Sequence, residues 1–322
     1  MFENINWPVP PSAEVLIYCA VIAAATAVIT AACFGPFLAV FSERLAGIRK
    51  RGFYTKLAQQ IARMNLALAV TALAAFGAGT AFVASNTPTI LAFPYFLPLS
   101  IASGAAVLST LLIGIYAVIL PKKSTPSSLG VGLGLLAGTL SIATLLLATG
   151  IVQRFAHTMP DIDPALPWQD QLVQFFLIPS DSFIWPLLGE SVPLGFAFAA
   201  AFATLWLLIM RDREDYGRDY YAFALRNCAG WALGATLVAL LVGAAVFFQG
   251  RAVMLPELSQ LPSLLLDVLA VILPLLSCLL WLLVVRSEHP MRRKISVVFA
   301  MVFLYAGLVA QVLLFAKFTL TP

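Results

Sequence analysis

The segment PSLLLDVLAVILPLLSCLLWLLVV, residues 262–285, contains 24 residues and one charged side chain, that of Asp267. A helix of about 20 apolar residues crosses the roughly 30 Å hydrocarbon core of a bilayer. Because lipid offers no hydrogen-bonding partner to the backbone, such a segment must be helical. The basic segment RSEHPMRRK, residues 286–294, follows it directly. The two segments together predict a transmembrane helix that ends in a basic connection.

The rest of the chain repeats this pattern. Of the 322 residues, 61% are hydrophobic and 11% are charged, whereas a soluble domain has about 45–50% and about 25%. This composition excludes soluble globular enzymes, disordered proteins and nucleic-acid-binding modules. It predicts an all-α integral membrane protein with eight transmembrane helices in the lipid bilayer. Besides residues 262–285, the predicted spans are 15–42, 64–85, 91–120, 129–153, 187–210, 227–249 and 295–316.

Basic residues collect in the connections that follow the odd-numbered spans. These connections hold 16 of the 19 Lys and Arg residues, and the opposite connections hold only Arg154, Arg251 and Lys317. An excess of Lys and Arg marks the cytoplasmic side of a membrane protein. We therefore expect both termini to lie outside, in the periplasm, with the chain a multi-pass protein of a bacterial inner membrane.

Two regions of the chain resemble each other. Residues 54–85 and 217–250 both begin with an aromatic and basic segment that reaches an Arg close to an Asn, and both continue through small residues. Arg63 precedes Arg226 by 163 residues, and the Leu-Pro pairs that open the third and seventh spans lie 164 residues apart. A nearly constant offset predicts two parallel four-helix halves, as in some membrane folds with internal repeats. The predicted halves are 1–153 and 190–322.

The outer segment 154–189 separates the two halves and is rich in aspartate, proline and aromatic residues. Within it, WQDQLVQFFLI at residues 168–178 predicts a short helix at the membrane interface, with aromatic side chains at headgroup depth. His157 lies near Asp161 and Asp163 in a proline-rich loop without a recognised metal motif, so no metal is predicted. We expect this segment to cover the bundle, and to dock a partner or line a quinol entrance.

Ionisable groups inside a bilayer are costly and therefore mark functional candidates. Apart from Glu190 near the start of the fifth span, Asp267 is the only charged residue within the predicted spans. It has two interpretations: an ion, proton or quinol role, or a polar cap exposed to interfacial water. Glu190 opens the fifth span on the outer side. A structural role is expected at cytoplasmic helix ends, where long side chains reach the interface, for Arg63, Arg226 and Glu43.

These positions predict a quinone or proton site on the outer side of the bundle, without a catalytic residue. A quinone head would be held by Asp267 with Arg154 or His157. Its ring would pack against Trp168 or Phe176, because aromatic side chains supply apolar contact together with polar handles. Glu190 is a further candidate at the same side of the membrane.

Two histidines restrict the cofactors that the chain can bind. A b-type haem in a membrane bundle takes axial histidine ligands from the helices. His157 lies in the outer segment and His289 in a cytoplasmic connection, so the two cannot share one haem. The four cysteines show neither CxxC nor CxxCH spacing, which leaves no haem-attachment or metal motif. We expect the chain alone to bind no cofactor, with quinone as the one exception.

Residues 35–85 resemble the first helical hairpin of subunit I of cytochrome bd-type quinol oxidases. That family has a proline in its first helix, a glutamate at the end of that helix, a basic loop, and an asparagine followed by small residues. Pro36, Glu43, the segment 49–56 and Asn65 match these features here. Outside termini and two four-helix bundles also agree with the fold of that family.

PLSIASG at residues 98–104 is similar to the third helix of the same family. The chain departs from the family in two ways. It has no histidine in its first or fifth span, where the family places haem ligands. In addition, Ala102 and Thr110 stand where the third helix of the family carries glutamates for protons. The resemblance therefore implies a haem-lacking relative that does not reduce oxygen by itself.

The expected function is that of a haem-free membrane subunit of a respiratory electron-transfer complex, which anchors redox subunits and contacts quinone or quinol. Its expected partners are other membrane subunits and periplasmic cytochrome subunits. Two alternatives stay open. A small-solute or lipid transporter would need polar groups at mid-membrane, and the main ones are Gln311, Thr139, Thr236 and Ser277. A pure membrane anchor fits all of the patterns above.

Overall fold

The computed structural model describes residues 13–50, 52–91, 95–119, 128–155, 167–176, 184–214, 216–254 and 261–320. These residues form α-helices and short 3-10 turns, and the described ranges contain no strand. The helices are α1 Ala13–Arg49, α2 Gly52–Asn86, α3 Phe96–Ile119, α4 Ser128–Phe155, α5 Trp168–Phe176, α6 Ile184–Met210, α7 Arg218–Met254, α8 Leu261–Arg286 and α9 Lys294–Leu320.

Eight of these helices are long and apolar enough to cross a membrane. The prediction of an all-α protein with eight membrane-spanning helices is therefore confirmed. The remaining helix, α5, has nine residues and begins at Trp168. It confirms the short helix predicted at residues 168–178 as far as Phe176, and the last two residues lie outside the described ranges.

Three helices extend past the apolar runs that predicted them by seven residues or more at one end. α1 continues to Arg49, α2 begins at Gly52 and α7 begins at Arg218. Many basic residues that the hydropathy pattern assigns to connections therefore lie on helices. Lys, Arg, Glu and Gln are good helix formers, and their long stems can pack on apolar surface while the charged group reaches water. Hydropathy marks the apolar part of each helix, and these helices extend past it.

The chain divides into two compact units. One contains Met1–Ala31 with Pro186–Pro322, and the other contains Ala32–Trp185. They are called the α6–α9 unit and the α2–α5 unit below, and α1 contributes its first part to the former and the rest to the latter. The predicted four-helix halves and the outer segment between them stay a prediction.

Corresponding helices of the two units begin at a nearly constant separation. α7, α8 and α9 begin at residues 218, 261 and 294, which is 166, 165 and 166 residues after the starts of α2, α3 and α4 at 52, 96 and 128. Their lengths also match in pairs: 35 and 37 residues, 24 and 26 residues, and 28 and 27 residues.

Small residues allow the helices to approach closely within each unit. A Cβ atom at Gly307 on α9 would lie 2.6 Å from the ring of Pro274 on α8, and one at Gly138 on α4 would lie 2.5 Å from the ring of Phe37 on α1. Helices in lipid associate through such close packing, since burial of apolar surface offers no gain there. Larger residues at these two glycines would force the helix pairs apart.

Candidate functional site

A groove runs along α6 and α7 and is called the α6–α7 groove below. Its volume is about 660 Å³ and its lining is mostly apolar. Gly230 and Gly234 lie about one turn apart on α7, and a Cβ atom on either would meet nothing within 4 Å. The absence of side chains at these positions keeps the groove open. The lining residues are Val192, Pro193, Phe196, Arg226, Asn227, Gly230, Trp231, Gly234, Ala235 and Val238.

Two aromatic rings form a flat part of this lining. The ring planes of Phe196 on α6 and Trp231 on α7 are 26° apart, and their centroids are separated by 6.4 Å. Both side chains are half-buried, so part of each ring is open to the groove. Surfaces of this kind accept planar rings and hydrocarbon chains through apolar contact.

A second, more polar pocket lies beside the start of α7 and is called the hairpin pocket below. Its volume is about 650 Å³. Arg226 and Asn227 line both the hairpin pocket and the α6–α7 groove, so the two spaces adjoin at these side chains. The full lining of the hairpin pocket is Arg218, Asp219, Ala222, Phe223, Arg226, Asn227, Glu288 and His289.

Arg226 connects α7 to the segment between α8 and α9. Its Nε and Nη2 atoms donate hydrogen bonds to the carbonyl oxygen of Ser287 at 3.2 and 2.9 Å, and Nη2 also donates to that of Glu288 at 2.9 Å. These contacts fix the position of the connection and agree with the structural role expected for this residue. The same side chain lines both cavities, which the sequence did not predict.

The hairpin pocket carries no net formal charge. Two guanidinium groups, those of Arg218 and Arg226, face two carboxylates, those of Asp219 and Glu288, around the same space. The Nη2 atom of Arg218 lies 3.4 Å from Nδ1 of His289. The pocket thus offers hydrogen-bond donors and acceptors without a strong attraction for an anion.

Glu190 lies inside the α6–α9 unit, in the second turn of α6. It is the seventh residue of α6 and is only 7% exposed. Its Oε1 atom accepts a hydrogen bond of 3.0 Å from Nε2 of Gln311 on α9. A Cβ atom at Gly243 on α7 would lie 2.6 Å from the same carboxyl oxygen. Three helices therefore meet around this carboxyl group, and the glycine supplies the space for it.

A second buried carboxyl group lies in the α2–α5 unit. Glu43 on α1 is 2% exposed, and its Oε2 atom accepts a hydrogen bond of 3.1 Å from the hydroxyl group of Tyr116 on α3. Glu43 is therefore enclosed by the bundle and does not extend into water from a helix end. Tyr116 itself packs near Gly134 on α4, where a Cβ atom would lie 3.1 Å from its ring.

Asn65 on α2 is enclosed more tightly than any signal in the sequence indicates. It is 1% exposed, and neither atom of its amide group has a hydrogen-bond partner among the described residues. The amide lies directly over Gly35 of α1, in the space where a side chain at that position would have to stand. Arg63, two residues earlier on α2, is half-buried.

The remaining residues of the predicted outer quinone site are divided between the two units. Asp267 is the seventh residue of α8 and half-buried, with its Oδ1 atom shielded from solvent. In the other unit, Trp168 is 60% exposed, and Phe176 packs edge to face on Phe175 with centroids 5.2 Å apart. Arg154 lies in the last turn of α4.

Two parts of that prediction concern atoms beyond the described structure. The side chain of Arg154 and the whole of His157 lie outside the described residues. The outer site therefore stays a prediction.

The hydroxyl groups expected to serve a transporter bond to helix carbonyl groups. Thr139 donates to the carbonyl of Leu136, and Thr236 donates to that of Ala232. Ser277 donates to the carbonyl of Ala300 on the neighbouring helix α9. Such bonds satisfy the donor of each hydroxyl group locally.

The sequence contains one signal for the α6–α7 groove. Gly230 and Gly234 are four residues apart, with Trp231 beside them. Spacing of this type is typical of closely packed helix pairs in membranes. It therefore does not by itself distinguish a packed interface from an open groove. Comparisons with protein-family models and with curated protein sequences find no match for this chain.

Proposed function

We propose that this chain is a haem-free membrane subunit of a respiratory electron-transfer complex, and that it binds a quinone in the α6–α7 groove. The observation that carries the proposal is the junction of an apolar groove with a polar pocket at Arg226 and Asn227. A quinone has the same division, with a polar carbonyl-bearing head and an apolar tail. The head would lie at the hairpin pocket and the tail along Gly230, Gly234 and Val238.

The charges of the hairpin pocket favour a neutral head over a phosphate. A phospholipid headgroup would bring its phosphate close to Asp219 and Glu288 as well as to the two arginines. Quinone carbonyl groups carry no charge and need hydrogen-bond donors, which Arg226 and the amide of Asn227 supply. Small-molecule sites are typically mostly apolar with a few polar groups that orient the ligand, as here.

The proposed quinone position differs from the one expected from the sequence. The hairpin pocket adjoins the α6–α7 groove at Arg226 and Asn227 and is also lined by Glu288 and His289 of the connection between α8 and α9. This end of the α6–α9 unit, where Arg211, Arg213, Arg292 and Arg293 lie in the connections, is called the basic end below. If the excess of Lys and Arg marks the cytoplasmic side, both termini lie outside and the groove opens towards the cytoplasm. This orientation and a bacterial inner-membrane location are parts of the proposal.

The family resemblance and the internal repeat belong to the same proposal. The constant separation of the helix starts supports a parallel repeat, which two four-helix bundles of the cytochrome bd type would have. In this account, other membrane subunits and periplasmic cytochrome subunits carry the electrons, since the described helices contain no histidine that could ligate haem.

A leucine at position 234 provides the test. Purified chain in lipid nanodiscs is titrated with decylubiquinone, and binding is followed by quenching of tryptophan fluorescence. Because the new side chain would fill the groove, we expect Gly234→Leu to weaken binding by about tenfold, or about 1.4 kcal/mol.

The matched control is Gly132→Leu on α4, where a Cβ atom also meets nothing within 4 Å. This variant should bind like the parent. Equal affinity of the parent and Gly234→Leu would refute the proposed quinone position.

A further inference from the structure

Glu190 occupies an unusual position for a carboxyl group. It follows the first residue of α6 by six positions, which places it about 9 Å along the helix axis from that end. The side chain is 7% exposed and lies among α6, α7 and α9. An ionisable group at such a place in a membrane protein is a functional candidate, because its burial has to be compensated.

The only hydrogen bond that Glu190 makes among the described residues comes from a neutral group. Nε2 of Gln311 donates to Oε1 at 3.0 Å. Among the residues whose side chains the structure describes, the parts of α1, α6, α7, α8 and α9 away from the basic end contain no Lys, Arg or His. Arg251 on α7 and Lys317 on α9 lie eight and six residues after Gly243 and Gln311, past the membrane-spanning stretches of these helices, and their side chains lie outside the described residues. The other titratable side chains there are Glu14, Tyr18, Cys19, Asp267 and Tyr305, and the hydroxyl group of Tyr305 donates to the carbonyl of Ala20 at 2.6 Å.

These surroundings favour one protonation state. A carboxylate that is buried and accepts its hydrogen bond from a neutral amide loses its hydration and gains no compensating charge from that partner, which is strongly unfavourable. A neutral carboxylic acid keeps the hydrogen bond from Gln311, because its carbonyl oxygen still accepts. A metal cation would need several oxygen ligands, and the described residues contain no group of three or more His, Cys, Asp or Glu side chains that could hold one.

We propose that Glu190, held by Gln311 and given space by Gly243, is a proton-binding site in the half of the membrane away from the basic end. A proton from the aqueous phase on the side opposite the basic end adds to a carboxylate oxygen and gives the neutral acid. The reverse step returns the proton to the same aqueous phase. No electron transfer is involved. The inference does not rest on the quinone groove, and the two can fail separately.

Dicyclohexylcarbodiimide tests this site directly. The reagent partitions into membranes, and a protonated carboxyl group adds to it and rearranges to a stable N-acylurea. With full-length protein in nanodiscs, mass spectrometry should find the adduct on Glu190, at a rate that falls as the pH is raised. Glu190→Gln should remove it. Glu43 is the internal control: it is also buried, but it accepts a hydrogen bond from Tyr116 in a basic region of the chain, and it should not be labelled.

Two further measurements distinguish the loss of the proton-binding site from misfolding of the Glu190→Gln variant. Gly243→Ala should change the labelling rate of Glu190 at least threefold, since the new methyl group would displace the carboxyl group. The infrared carbonyl band of a protonated acid should be lost in Glu190→Gln and kept in Asp267→Asn. Three results would overturn the proposal: no adduct at any pH, labelling independent of pH, or protection by sodium ions at constant pH.

Discussion

Two helices of this protein begin with the same sequence features and use them differently. On α2, Arg63 is followed closely by Asn65, which is 1% exposed and lies over Gly35. On α7, Arg226 is followed by Asn227, which lines an open groove. The residues around each asparagine account for its different exposure. In the α2–α5 unit, Gly35 lets α1 and α2 approach until the amide is enclosed, whereas on α7 the glycines face open space.

The two buried glutamates differ in a related way. Glu43 accepts a hydrogen bond from a tyrosine hydroxyl group, and the basic segment 49–56 follows it in the chain. Glu190 accepts one from the neutral amide of Gln311, and none of the side chains that the structure describes in that part of the α6–α9 unit is basic. Burial alone therefore does not assign a role to a carboxyl group. The hydrogen-bond partners and charges around it must also be known. The open groove lies in the α6–α9 unit, whereas Asn65 in the α2–α5 unit is enclosed.

The largest effect is expected where the packing is closest. Gly35→Ala should destabilise the protein by about 2 kcal/mol, because its methyl group would overlap the Asn65 amide and overpacking costs about 1–3 kcal/mol. Unfolding in mixed detergent micelles measures this loss. Gly132→Ala, which meets nothing nearby, should change stability by less than about 0.5 kcal/mol.

A double variant shows whether the clash is the cause. Adding Asn65→Ala to Gly35→Ala should recover at least half of the lost stability, since residues in contact do not act additively. If the stability changes of the two single variants simply add in the double variant, the overlap with Asn65 is not the cause of the loss in Gly35→Ala.

A smaller loss of stability is expected when Arg226 on α7 is replaced. Arg226→Ala removes three hydrogen bonds to the carbonyl oxygens of Ser287 and Glu288. The guanidinium group is exposed to solvent, so the loss of stability should be about 1 kcal/mol. Hydrogen exchange of the connection 287–293 should rise in this variant, and Arg226→Lys should restore only part of the protection because it lacks the planar fork. Unchanged exchange would show that Arg226 does not hold the connection.

The smallest effects on stability are expected when each of the two asparagines is replaced by alanine. Asn65→Ala deletes a buried amide without hydrogen-bond partners among the described residues, so the gain from removing it and the cost of the cavity should cancel to within about 1 kcal/mol. Asn227→Ala should leave stability unchanged and weaken decylubiquinone binding about threefold. Equal binding in the two variants would remove the functional distinction between the two helix starts.

Lipid imposes the features that the sequence predicts well. Each span must be helical and about 20 residues long, so hydropathy identifies all eight, and the aromatic stretch from Trp168 identifies α5. The site is harder to predict, because it depends on which helices pack together. Gln311 lies 121 residues after Glu190, and no pattern in either helix marks the pair. The spacing of Gly230 and Gly234 looks the same in a packed interface and in an open groove.

The central claim is that the quinone lies in the α6–α7 groove, and photolabelling tests it most directly. An azido-quinone is bound to the full-length protein in nanodiscs, activated by light, and its attachment sites are mapped by mass spectrometry with excess decylubiquinone as competitor. The account predicts competed adducts within Gly230–Val238 on α7 and Val192–Phe196 on α6. Competed adducts confined to Trp168–Phe176 or to the region of Asp267 would contradict it and favour the outer site.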